Sequence, residues 1–153
     1  MGDFTTEGQL TPKLIDGLYV EAMVLADEAR SYFDTAGRDD RLALDPLDRV
    51  GFSCESLKVT TRLMHIIAWL LTQRAVEAGE LTFAQARKPA RRLGEAPESD
   101  PELLAKLPEA ELQLIQSSSD LYARVRRLDE GGDEIEPQPS PARNLLRRLE
   151  RSL

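Results

Sequence analysis

The chain holds one cysteine, Cys54, and one histidine, His65, the pair that would first suggest nucleophilic chemistry. Both fall in one helical stretch, which sets them roughly 16 Å apart along the axis at 1.5 Å per residue. At that separation they form no thiolate–imidazole dyad within one chain. A cysteine near a helix start can be reactive, but the burial tendency of the residue favours a half-buried small hydrophobe. His65 falls among polar neighbours and reads as an ordinary surface histidine. The Glu-x-x-His pairs of carboxylate-bridged metal bundles do not occur. Nor do Walker-type or dinucleotide-type glycine loops, or a nucleophile elbow. The sequence therefore reads as a non-enzymatic chain with no cofactor and no metal.

A chain of 153 residues, 41% apolar and only 5% aromatic, fits one domain with an aliphatic core. The net charge of −7 argues against nucleic acid as the main partner. A single cysteine allows no internal disulfide, as expected in a reducing cytoplasm. The start has no basic region followed by an apolar run, so no secretion signal is read. The longest unbroken apolar run, residues 66–71, is too short to cross a membrane.

Three long helical segments are expected, and with them an all-α, antiparallel three-helix bundle with a flexible C-terminal tail. The first runs from Pro12 to Asp34, with Thr11 as cap and Pro12 at the first helical position. Ile15, Leu18, Ala22, Leu25, Ala29 and Tyr32 give it one apolar face, widened by Leu14, Tyr19, Ala26 and Phe33. Residues 35–52 read as a charged loop punctuated by Gly37, Pro46 and Gly51. The second helix is expected to start at a Ser53 cap with Phe52 as a hydrophobic staple, and to end near Gly79. Residues 80–107 are broken, with a Thr82–Gln85 capping box, an interruption at Pro89 and a turn at Asp100-Pro101-Glu102. The third helix begins at Pro108 and carries Leu114, Ser118, Leu121, Val125 and Leu128 on one face. The expected domain boundaries are a flexible N-terminus at 1–10, the bundle at 11–129, and a tail at 130–153. That tail opens as an acidic, proline-bearing linker expected to be disordered. It closes on ARNLLRRLERSL, a short basic amphipathic segment with Leu145, Leu146, Leu149 and Leu153 near one face.

The second helix carries the most information. Leu57, Met64, Ile67, Ala68, Leu71 and Ala75 form one apolar face. Val59, Leu63, Ile66 and Leu70 form another, turned by roughly 120°. Two adjacent faces exceed what a small bundle needs, which leads to a homodimer with Val59, Leu63, Ile66 and Leu70 as its interface. The alternative is that residues 80–107 cover the second face within one monomer. The remaining arc carries Lys58, Thr61, Arg62, His65, Thr72 and Gln73, with Trp69 set among them. Lys58, Arg62, Trp69 and Gln73 are candidate partner-binding residues, as are Leu145, Leu146, Leu149 and Leu153 of the tail. Trp69 has an equally weighted alternative, cover by residues 80–107. Arg87, Lys88, Arg91 and Arg92 form a basic patch that reads as a solvated run or as a dock for an acidic partner.

The run SxESLKxTTRLMxxxAWLLxQRAxxxGE, here Ser53 to Glu80, resembles the signature of the bacterial adaptor family named after RcdA, the regulator of CtrA degradation. EAMxLxDEARxYFD at Glu21 to Asp34 and LIxxSxxLYxRVxRLD at Leu114 to Asp129 extend the resemblance, which spans residues 14–129. It implies a non-enzymatic adaptor for regulated proteolysis by the AAA+ protease ClpXP, built as a dimeric three-helix bundle with a flexible tail. The implied partners are a CpdR-like response regulator with ClpX, a PopA-like cyclic-di-GMP-binding adaptor, and protein substrates such as transcription factors. The tail and residues 80–107 match no family pattern. A rival reading is a helical dimeric transcriptional co-regulator that binds DNA, or a DNA-binding protein, through Arg87 to Arg92 and the basic tail end. The acidic net charge and the lack of a helix-turn-helix weigh against it.

Overall fold

In the computed structural model, residues 11–135 and Arg151 are described, and among them the chain is all-helical. Helix α1 spans Pro12–Asp34. The Thr11 hydroxyl accepts from the Leu14 amide at 3.1 Å, which satisfies one of the amides left open at a helix start. Ile15, Leu18, Ala22, Leu25 and Ala29 are its buried residues, the stripe expected from their spacing.

The expected loop at 35–52 is corrected. It holds a short helix, α2 (Ala36–Leu42), and the first turns of α3 (Pro46–Glu77). Asp45 is the cap position and Pro46 takes the first turn, where its missing amide hydrogen costs nothing. Arg49 bonds the carbonyls of Leu44 and Leu42 at 2.9 and 2.8 Å, and Arg41 bonds the Ser53 hydroxyl at 2.9 Å. These ties hold the α2–α3 corner. Ser53 is therefore mid-helix rather than a cap, and Phe52 is a core residue rather than a staple. The Phe52 ring meets Phe33 edge-on at 6.2 Å.

Helix α3 ends as expected at Gly79, which takes φ of 79°. The Glu80 amide bonds the Ala75 carbonyl and the Gly79 amide bonds that of Val76, at 2.8 and 3.0 Å. This is a Schellman close, and it needs a residue free to enter the left-handed region. Then come α4 (Phe83–Ala86) with its Thr82–Gln85 capping box, a 3₁₀ turn (Pro89–Arg91), and α5 (Pro101–Leu104) capped by Asp100.

Helix α6 spans Glu109–Ile135, so residues 130–135 belong to the helix and not to a linker. Its anchor is Asp129, a buried carboxylate gripped by arginines from the preceding segment. Leu145, Leu146, Leu149 and Leu153 lie outside the described residues.

Both α1 and α6 pack chiefly on α3 and touch each other far less. Val59, Ile66 and Leu70 are fully buried, and Leu63 is 4% exposed, all within a single chain. The dimer interface expected at these four residues is thus corrected: α1 and α6 lie on this side of α3, and the four side chains are core.

Candidate functional site

Helix α3 shows two unlike outer sides. One is polar and covered by the chain itself. Residues 87–100 run back along α3 and α6 as a strap with little regular structure, pinned at successive points. At its start, Arg92 Nε and Arg87 Nη1 reach Asp129 Oδ1 at 2.9 and 3.4 Å. Trp69 Nε1 donates to the same oxygen at 2.9 Å, and Trp69 is 2% exposed. Further on, Tyr122 donates to the Gly94 carbonyl at 2.6 Å. Gly94 lies so close to His65 that a Cβ there would sit 2.6 Å from Nδ1. Arg62 then donates to Ser99 Oγ at 2.7 Å, to the Pro97 carbonyl at 3.4 Å and to Ser118 Oγ at 3.2 Å. Last, Glu55 Oε2 accepts from Lys58 at 3.0 Å and from the Asp100 amide at 3.3 Å.

These contacts correct two expected partner-binding residues, Arg62 and Trp69, which are buried. Lys58 is turned onto Glu55 and Gln73 is half-buried, and both keep some surface to offer. The physical reason is charge satisfaction: a buried cation or carboxylate is tolerated only when its neighbours bond it. The basic patch divides: Lys88 and Arg91 are exposed, as the solvated reading expects, and the other two are not. Arg87 and Arg92 turn inward onto Asp129, leaving no projecting row of four cations to track a phosphate backbone. Of the alternatives for Trp69, cover by the 80–107 segment is the one the fold adopts.

Two fully buried carboxyls went unnoticed in the sequence, Glu55 and Glu111. Burial pushes Glu55 up, but bonds from Ser99, Lys58 and the Asp100 amide outweigh it and hold the group below its ordinary range. Burial pushes Glu111 up to about 7, against a bond from Ser56 and with help from the Glu55 charge. Ser56 Oγ lies 2.7 Å from Glu111 Oε2, while Oε1 of each carboxyl lacks a partner. The signal was present: Phe52, Glu55, Val59, Arg62, Ile66 and Trp69 step by three and four along one buried side. Glu111, Leu114, Ser118, Leu121 and Val125 do the same on α6. Polar residues in register with a core stripe mark a buried polar seam.

The other side of α3 is apolar and bare. Leu47, Val50, Leu57, Met64 and Leu71 are 48–80% exposed. With Cys54, Thr61 and Ala68 they follow an unbroken three-four spacing, the repeat by which two helices interlock. Cys54 is an exposed free thiol, correcting the half-buried reading. This stripe extends the sequence-derived face of Leu57, Met64 and Leu71 through the turns once read as loop.

Among the described residues no three His, Cys, Asp or Glu side chains converge to hold a metal ion. No helix there is long and apolar enough to cross a membrane. The class these features define is an all-helical protein that presents a polar-strapped side and a bare apolar side on one long central helix. The chain belongs to the family described as "Protein of unknown function (DUF1465)", whose model matches residues 6–153. It is RcdA-like: the crystal structure of RcdA from Caulobacter crescentus CB15 superposes with a TM-score of 0.66 at 36% identity, covering 86% of this chain and 97% of that one. The family resemblance seen in the three helical runs is thereby established. No curated protein matches the chain.

Proposed function

We propose that this protein is a non-enzymatic adaptor in regulated proteolysis, acting in the cytoplasm. It would bring protein substrates, such as cell-cycle transcription factors, to a ClpXP protease primed by a CpdR-like response regulator. A PopA-like cyclic-di-GMP-binding protein is a further partner by the same resemblance. The observation that carries the reading is the 36% identity to RcdA across 86% of the chain. Tethering raises the local substrate concentration at the protease, and the adaptor needs no chemistry of its own.

The finer architecture proposed is an antiparallel three-helix bundle of α1, α3 and α6, which the packing of both outer helices on α3 supports. The protein is proposed to act as a homodimer, with the seam at the bare stripe of Leu47, Val50, Leu57, Met64 and Leu71. Support comes from the spacing of that stripe and from its exposure in the single chain. The test is reconstituted degradation of a candidate substrate by ClpXP with the response regulator, with and without this protein. Faster turnover that depends on the protein is expected. Unchanged turnover over a panel of such substrates contradicts the adaptor reading.

A further inference from the structure

Because α1 and α6 touch least among the long helices, a groove opens between them. Two half-open clefts, of about 410 and 230 Å³, share Leu25, Glu28 and Ser117 and form one channel from Arg124 to Ala110. Its lining is mixed: Leu25 and Leu114 are buried at the base, and Val24, 53% exposed, is the main apolar surface it offers. Its rim is acidic: Glu21, Glu28 and Asp120, of which Glu21 is bonded by Arg124.

We infer that this groove is the docking site of the chain's own basic segment, residues 142–153. The chemistry matches on both counts. Leu145, Leu146, Leu149 and Leu153 share one face of ARNLLRRLERSL, and Arg143, Arg147, Arg148 and Arg151 outnumber its single acid, Glu150. A leucine face seats on Val24 and Leu25 while the arginines meet Glu28 and Asp120 at the rim.

The lengths also match. A helix of these twelve residues is about 18 Å long, and the groove from residue 110 to 124 is about 21 Å. From Ile135, α6 must be retraced by about 22 Å to reach Asp120. From Ile135 to Ala142 the chain has seven residue steps, which span about 23–25 Å when extended. The segment then lies antiparallel to α6. The bare stripe of α3 offers no such match, since its flanking positions carry Lys58, His65 and Arg74 rather than acids. The inference stands apart from the delivery reading, because it concerns a contact within one chain and needs no protease partner.

The test uses the full chain carrying Cys54→Ser and Ser152→Cys, isotopically labelled and bearing a nitroxide at residue 152. Expected is loss of amide signals at residues 28–34 and 110–117, the end of the groove that residue 152 reaches. Raised salt should restore them by screening the arginine–carboxylate contacts. Glu28→Arg with Asp120→Arg, both at the protein surface, should also restore them, with helix content unchanged by circular dichroism. Adding Arg147→Glu and Arg148→Glu to that variant should bring the loss back. Loss confined to residues 130–136, or falling on the Leu57–Leu71 stripe, or absent, overturns the inference. So does loss that appears only between an isotopically labelled chain and a separate nitroxide-bearing one, which would make the occupant a second copy's segment.

Discussion

The two outer sides of α3 carry residues of similar origin to opposite ends. On the strapped side, Trp69 and Arg62, the kind of side chains that dominate protein interfaces, are consumed inside the chain by Asp129, Ser99 and the Pro97 carbonyl. On the bare side, Leu57 and Met64, the kind that fill cores, are 68% and 63% exposed. Residue type alone misleads about both. What decides is where the remaining chain lies. The 87–100 strap has cations, hydroxyls and amides to offer, so it settles where α3 supplies acids and donors. The aliphatic stripe has nothing for such a strap to bond.

The contrast can be broken most sharply at Asp129. Asp129→Ala leaves Arg87, Arg92 and the Trp69 N–H without their shared carboxylate, at a cost of about 3–5 kcal/mol. Urea unfolding should show that loss, and hydrogen exchange should rise across residues 87–100.

Glu111 comes next. Its folded-state pKa is raised from 4.5 to about 7, so the native state holds the proton more tightly than the unfolded chain. Its contribution is therefore favourable at pH 4.5 and fades as pH rises to 7, a difference of about 3 kcal/mol as an order of magnitude. Glu111→Gln should flatten this slope and raise the urea midpoint at pH 8 relative to wild type. An unchanged slope would remove the buried-carboxyl account.

Gly94→Ala sharpens the strapped side further, because the added methyl must displace the His65 ring or the strap. A loss of about 1–3 kcal/mol is expected from overpacking of this kind, read as a lowered thermal midpoint. Smallest for the isolated chain is Leu57→Ala on the bare stripe, at most about 0.5 kcal/mol at dilutions where no pairing occurs. A large effect there would place Leu57 in contacts the fold does not show.

Much of the framework was legible because its signals are local. Thr11-Pro12 marks the start of α1, Gly79 the end of α3, and Thr82 with Gln85 the start of α4, and each acts within one turn of helix. The Asp45-Pro46 start of α3 was equally local but lay in a charged stretch. The corner there is held by Arg41 and Arg49, whose bonds reach 12 and 5 to 7 residues along the chain, beyond any periodic pattern. The double-faced character of α3 was legible too. Which face points inward was not, since α1 and α6 set that from outside the helix. The polar seam of Glu55, Arg62, Ser118 and Glu111 was hidden because charge was read as exposure, although these residues keep step with the core.

The division of α3 into a strapped side and an open side proposed to pair is tested most directly by sedimentation equilibrium of the full chain and of Met64→Glu. The proposed seam predicts a wild-type mass of twice the 17.1 kDa chain at micromolar concentration, and a variant that sediments as one chain with its helix content intact. A monomeric wild type, or a Met64→Glu protein that pairs as tightly as wild type, would contradict it.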